Sequence, residues 1–138
     1  MSDLFQVAVS AFIVRDEKLL LLKRREDDDF LPGYWEVPGG KIEEHESIEE
    51  GIVRETREEA GIEVSISKAF GYFEYVSGNG KKTVNLNFLC QTTTDTTANV
   101  ESGEMERAEW VSEAELLNYK MSESMHAACL QAFSCSHH

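Results

Sequence analysis

Between Gly40 and Ile62 the chain reads GKIEEHESIEEGIVRETREEAGI, and no other stretch limits so narrowly what can be built around it. Ser47 followed by Glu50 has capping-box spacing, in which each side chain satisfies a backbone N–H of the other. The run to Ala60 holds no proline, and Gly61 supplies the residue that most easily closes a helix in the left-handed conformation. A helix is therefore expected from near Ser47 to Gly61. At about 100° per residue, Ile48, Ile52, Val53, Thr56 and Ala60 fall on one side, and Glu55, Glu58 and Glu59 crowd together beside them.

Three carboxylates sharing one small surface repel and raise one another's pKa unless something positive lies between them. Hard oxygen donors suit Mg²⁺ or Mn²⁺, so a divalent-metal site accounts for the cluster. A solvated acidic helix is the alternative that charge patterning by itself leaves open.

The spacing of Gly40, Glu46, Arg54, Glu55, Glu58, Glu59, Gly61 and Ile62 decides between them, because it resembles the Nudix box of the Nudix hydrolases. One position departs, with Thr56 standing where that family has Leu, Ile or Val. The resemblance implies a hydrolase of nucleoside diphosphates linked to another group, with Mg²⁺ (or Mn²⁺) held by Glu58, Glu59, Glu55 and the carbonyl of Gly39. It also implies Glu55 as general base, with Arg54 orienting it while pairing with Glu46. Gly40, Glu46 and Gly61 are expected to shape the box. The WEVPGGKIE stretch is similar to the MutT-type nucleoside triphosphate pyrophosphohydrolases, which include enzymes for oxidised nucleotides. In those enzymes a further Glu comes from a loop before an aromatic strand; Glu104 has that separation from Trp110, with Glu101 and Glu106 as rivals.

Upstream of the box, Phe5 to Val14 reads as a strand buried on much of both faces, and Lys18 to Lys23, KLLLLK, as its hairpin partner. At the end of that strand the resemblance assigns Arg24 to the substrate's phosphate, a task suited to a planar fork of N–H donors. A charged strand end is the competing expectation. Trp35, Glu36 and Val37 form a short strand, and Pro38, Gly39 and Gly40 a turn. Trp35 is expected in the core for its area, with base stacking as the alternative.

Downstream, Glu63 to Tyr75 predicts one or two strands, and SGNGKK (Ser77–Lys82) predicts a turn. In Thr83–Thr92, Val84, Leu86 and Phe88 alternate with Asn85 and Asn87, which either read a base edge or face solvent. Thr92 to Ser102 is a polar loop. AEWVS predicts a short strand, Ser112 caps a helix through Glu115 and Leu117, and a last helix runs from Ser122 to near Phe133. The sum is a single α/β domain of the α+β type over 1–138, a mixed β-sheet sandwiched between helices.

Composition narrows the partners. A net charge of −13, from 26 acidic and 13 basic residues, argues against a nucleic-acid polymer, though not against a small nucleotide received by bound cations. No apolar run approaches the ~20 residues needed to span a bilayer, and MSDLFQ lacks signal-peptide features, so a cytoplasmic protein without membrane contact is expected. Cys90, Cys129 and Cys135 lack zinc or redox spacing and should be reduced, and no metal role is assigned to them or to His126, His137 and His138. Two other classes share the family's fold. One is a silent nucleotide sensor, which would not need Arg54, Glu55, Glu58 and Glu59. The other is an isopentenyl diphosphate type isomerase, which would need a cysteine in a strand before the box. Relatives acting on ADP-ribose, dinucleotide polyphosphates or nucleotide sugars remain as alternatives, and homodimerisation is a family habit.

Overall fold

The computed structural model describes residues 5–93, 97–100, 103 and 105–136. Its order is β1 (Gln6–Arg15), β2 (Lys18–Arg24), β3 (Trp35–Glu36), β4 (Gly39–Lys41), α1 (Ile48–Ala60), β5 (Val64–Val76), β6 (Lys82–Thr92), β7 (Met105–Ser112), a 3-10 turn (Glu113–Asn118) and α2 (Glu123–Ser136). Hydrogen bonding joins the strands in the order β3-β2-β1-β6-β5, with β4 added to β1 and β7 to β2. The pairing is mixed: β1 runs parallel to β6, and the other pairs are antiparallel.

The sheet is covered on both sides, and β1 with β2 shows why. Successive side chains of a strand point to opposite faces, so the four leucines of KLLLLK divide between two cores. Leu19 and Leu21 join Phe12, Val111, Cys129 and Phe133 beneath α2. Leu20 and Leu22 join Val9, Ala11, Ile13, Ile52 and Ala60 beneath α1. The hairpin between them turns on Asp16 and Glu17, both in the left-handed region at φ 52° and 63°. Positive φ at both central residues is the two-residue turn that matches the twist of paired strands.

Helix α1 has the expected ends. Ser47 accepts from the backbone N–H of Glu50 at 3.1 Å, Glu50 accepts from that of Ser47 at 2.7 Å, and Gly61 closes the helix at φ 66°. Its buried stripe is rotated from the expected one: Gly51, Ile52, Thr56, Glu59 and Ala60 are buried, whereas Ile48 is 41% exposed. Gly51 leaves room for Ile42, whose Cδ1 lies 2.3 Å from where a Cβ would be. Thr56 satisfies its buried hydroxyl by donating to the carbonyl of Ile52 at 2.7 Å, so it packs where an aliphatic residue would.

Beyond the box, β5 is one long strand at the sheet's outer side. Its pairing with β6 shifts register between Ile66 and Lys68 and again between Ala69 and Gly71. The displaced Phe70 packs its ring edge-on against Phe12 at 5.1 Å, and its carbonyl accepts from Gln131 at 3.2 Å. Three expectations near the C-terminus need correction. β7 starts at Met105, earlier than AEWVS; the segment after Ser112 is a 3-10 turn; and α2 continues past Phe133 to Ser136. Glu115 holds that 3-10 turn by accepting from both the backbone N–H and the hydroxyl of Ser112. Burial pushes the thiols of Cys90 and Cys129 up to about 12, and all three cysteines are unpaired by disulfides. Among the described residues no helix is long and apolar enough to cross a membrane.

Because β2 is buried on both faces, Leu20→Ala and Leu21→Ala should each cost about 2–5 kcal/mol, the range for leucine truncation in a packed core. Urea denaturation checks this, and a silent variant at either position would place that face against solvent.

Candidate active site

The two glycines of β4 are required by space. Gly39 and Gly40 pair with Ser10 and Val9 of β1. A Cβ on Gly39 would lie 2.2 Å from the carbonyl oxygen of Val9, and one on Gly40 would lie 2.3 Å from a carboxylate oxygen of Glu55. Neither glycine has positive φ, so the expected special turn conformation is replaced by a need for close approach. This lets α1 press its carboxylates against the strand, and the N–H of Gly39 donates to Glu59 Oε1 at 2.9 Å.

Arg54 holds the acidic cluster together. Its Nε and Nη2 grip Glu46 in bidentate fashion at 2.9 and 2.6 Å, its Nη1 reaches Glu55 at 2.7 Å and Glu58 at 3.2 Å, and Nη2 also donates to the carbonyl of Lys41 at 3.2 Å. Glu46 receives a further bond from the backbone N–H of Glu43 at 2.9 Å. The Arg54 bonds, helped by the Glu43 N–H, hold the Glu46 carboxyl down to about 2, and the guanidinium is raised in turn. The four acids differ sharply in shelter. Glu59 is buried, the side chains of Glu46 and Glu55 are 8% and 15% exposed, and that of Glu58 is 57% exposed.

Glu55, Glu59, Gly39 and Gly40 line one end of a cavity of about 880 Å³. Glu58 stands outside its wall, on the solvent side of Arg54. The donor chemistry at this end, carboxylates beside a glycine cradle, fits a hard divalent cation. Among the described residues no three acidic, His or Cys side chains form a preassembled cage. Glu104 and Glu101 lie outside the described residues, and Glu106 pairs with Lys23 at 3.1 Å.

The other end is aromatic. Phe30 and Tyr75 stand 6.4 Å apart, Phe73 lies 6.0 Å from Tyr75, and Trp35 closes the wall while packing edge-on against Tyr119 at 4.9 Å. Small residues of β1, Ala8 and Ser10, form the floor with Asn85 and leave the space open. The alternation of β6 is as read, but its amide face is the buried one: Asn85 is 5% exposed and Asn87 2%. Asn85 reaches the cavity, donating to Ser10 Oγ and Asn87 Oδ1, each at 2.9 Å. Asn87 does not line the cavity and supports Asn85 from behind.

Arg24 lies in the wall, and its three nitrogens are engaged: Nε with the carbonyl of Phe30 at 2.8 Å, Nη1 with Glu36 at 3.1 Å and Nη2 with Asp28 at 2.8 Å. Arg24, expected either to grip a phosphate or to be a charged strand end, thus ties the 26–33 loop to β3 while lining the cavity. Glu36, passed over in the sequence as part of a short strand, is the acid at the aromatic end. Burial pushes its carboxyl upward, with Arg24 opposing, and Tyr75 is raised by burial and next by Glu36. A signal for Glu36 existed in its place beside Trp35 on a strand leading into the glycines.

A NUDIX domain model matches residues 4–133. The chain is 42% identical over 74 residues to the CTP pyrophosphohydrolase of Escherichia coli (strain K12), covering 54% of this chain and 50% of that protein. It is 33% identical over 66 residues to the 8-oxo-dGTP diphosphatase of Proteus vulgaris, covering 47% and 59%. Its match thus spans about half the length of these curated relatives. A crystal structure of a MutT protein from Methanosarcina mazei Go1 superposes with a TM-score of 0.79 at 25% identity, covering 99% of this chain and 98% of the other.

The Arg54 hub makes a pH-dependent prediction. A carboxyl depressed in the folded state stabilises above its unfolded value and loses that contribution as acid protonates it. Arg54→Met should therefore lower the urea midpoint at pH 7, and its deficit should shrink as pH falls from 4.5 toward about 2. A deficit constant across that window would place the contribution in packing instead.

Proposed function

Because this chain belongs to the Nudix hydrolases, enzymes acting on phosphoanhydride bonds of small nucleotides, we propose that it is a divalent-metal-dependent nucleoside triphosphate pyrophosphohydrolase. The observation that carries this reading is a single cavity joining Glu55, Glu59 and the glycines of β4 to an aromatic wall of Phe30, Trp35, Phe73 and Tyr75. The relatives named for CTP and 8-oxo-dGTP support a triphosphate.

The phosphates lie at the carboxylate end and the base at the aromatic end. Glu59, Glu55, Glu58 and the Gly39 carbonyl are the groups that would hold Mg²⁺ or Mn²⁺, with Glu104 as a further donor. A bound divalent ion supplies an acidified water and neutralises charge on the phosphate oxygens. Glu55 takes the proton of the attacking water as its oxygen bonds to phosphorus. The bridging P–O bond breaks, and its electron pair leaves with the departing phosphate group. Arg54 positions Glu55 through its bond at 2.7 Å and is itself fixed by Glu46. Gly40 admits the Glu55 carboxylate to the strand. An isomerase of the isopentenyl diphosphate type would need a cysteine in a strand before the box, and β1, β2 and β3 hold none.

Phosphate and pyrophosphate release is to be measured over nucleoside triphosphates, oxidised nucleotides, ADP-ribose, dinucleotide polyphosphates and nucleotide sugars, with Mg²⁺ and with EDTA. Metal-dependent turnover of triphosphates is expected, and nucleotide binding without any turnover would make the chain a sensor. Glu55→Gln should lower kcat by about a hundredfold or more, as for loss of a general base; a fall under about tenfold removes that role. Glu59→Gln should need more Mg²⁺ for half-maximal rate, and wild-type turnover at saturating metal would remove Glu59 from the ligand set.

A further inference from the structure

The part of the sheet that α1 leaves uncovered carries an apolar surface of its own. Helix α1 packs Ile52 and Ala60 onto Val9, Ala11 and Ile13, but the same face continues toward the start of β1, the start of β6 and the end of β5. Register fixes what lies there. Val84 pairs with Val7 on one side and Glu74 on the other, Leu86 pairs with Tyr72, and Lys82 with Val76. Alternation along each strand puts these side chains on the α1 side, opposite to Phe73 and Tyr75 of the cavity wall. Phe5, one residue before β1, completes the block, its ring 5.8 Å from Lys82 Nζ. Val7, Phe5, Val76 and Tyr72 are 42%, 47%, 58% and 66% exposed. They are four of the seven exposed large hydrophobic side chains among the described residues, so the exposure is gathered on one face and not scattered.

We propose that this face binds a second copy of the chain about a two-fold axis. A two-fold contact must be complementary to itself, residue i meeting j while j meets i. The block meets that condition about the line through Val84 and Val76. Turning a second copy about this line sets Phe5 against Tyr72 of the partner subunit, Lys82 against Glu74 of the partner subunit and Val7 against Leu86 of the partner subunit. Each valine on the line meets its own counterpart. Rings thus face rings, a cation faces an anion and aliphatic groups face aliphatic groups, with the strands of the two sheets crossing steeply as in orthogonal sheet packing. Among the described residues neither Glu74 nor Lys82 makes an ion pair within its own chain, so both charges are available across the contact. One charge of each sign also leaves the block neutral in a chain of net charge −13, whose remaining surface repels its copies. The apolar area, on the order of 500 Å² per copy, lies at the low end for specific contacts, which sets a reversible dimer and not an obligate one. The contact lies behind the aromatic wall of the cavity and is independent of the nucleotide reading.

The test is sedimentation velocity of the full chain from about 1 to 300 µM, a range that brackets a weak dimer. The average mass should rise with concentration toward twice that of one chain, and a single-chain mass throughout overturns the proposal. Tyr72→Asp should weaken the dimer at least about tenfold, as for loss of an aromatic anchor. Leu117→Asp, on the 3-10 turn at a site 85% exposed, should leave it unchanged. An unaltered dimer in Tyr72→Asp, or an equal loss in Leu117→Asp, places the contact elsewhere and rejects this face. The charge pair tests the two-fold pairing without relying on a disruptive variant. Glu74→Lys and Lys82→Glu should each weaken the dimer at least about fivefold by setting like charges opposite one another. The two changes combined should restore it to within about threefold of the parent, because they exchange the charges across the axis. A combined variant as weak as the single ones overturns the pairing proposed.

Discussion

A single guanidinium determines how the acidic half of this site can exist. Four carboxylates from one helix and the loop before it would repel one another if left to water and chance. Arg54 meets three of them directly, gripping Glu46 with two nitrogens and reaching Glu55 and Glu58 with a third. The fourth, Glu59, is received by the backbone of β4 through the Gly39 N–H. The division sorts equal residues into unequal states: Glu46 is locked, Glu55 and Glu59 face the cavity, and Glu58 stands at the solvent edge. Lysine could not replace the arginine, because only a planar fork can bind one carboxylate with two nitrogens and still reach its neighbours.

The sheet performs the complementary task at the other end. β1 alternates Ala8, Ser10 and Phe12 on the face toward α2. Phe12 fills the core, while the two small residues leave the cavity above them. On the opposite face Val9, Ala11 and Ile13 pack under α1 without interruption. One strand thus closes one core fully and opens the other at a chosen point, which places the aromatic slot next to the glycines. Continuity between the slot and the carboxylates follows from β1 being paired with β4 on one side and β6 on the other.

Local chemistry was legible in the sequence wherever a signal acts within a few residues. The Ser47–Glu50 box and the Gly61 stop set the helix ends, because caps depend on near neighbours. The apolar run from Phe5 to Val14 announced burial on both faces of β1, and the four leucines marked β2 as its hairpin partner. What depends on distant partners was read less well. Ile48 fits the periodic stripe but is exposed, which periodicity cannot know. The contacts of Arg24 were invisible in the sequence because Asp28, Glu36 and the Phe30 carbonyl converge on it only after the loop folds back. The β6 asparagines alternate correctly, yet only tertiary packing says that their face is the buried one, since solvent and a polar cavity demand the same pattern. Glu36 escaped notice for the same reason: a two-residue strand has no periodicity to mark which neighbour faces inward.

The outer strand β5 has one further consequence. Its register slips twice against β6, and Gln131 of α2 occupies the carbonyl of Phe70. A flat, regular outer strand of this length would offer an unbroken row of N–H and C=O groups to any extended peptide. Here the row is interrupted in its middle and one of its acceptors is already taken, while Lys68 and Glu74 add charge along it. A chain crowded with its own copies is thereby discouraged from growing by strand addition at this border, so bulges that orient Phe70 toward the core also guard against fibrous self-association.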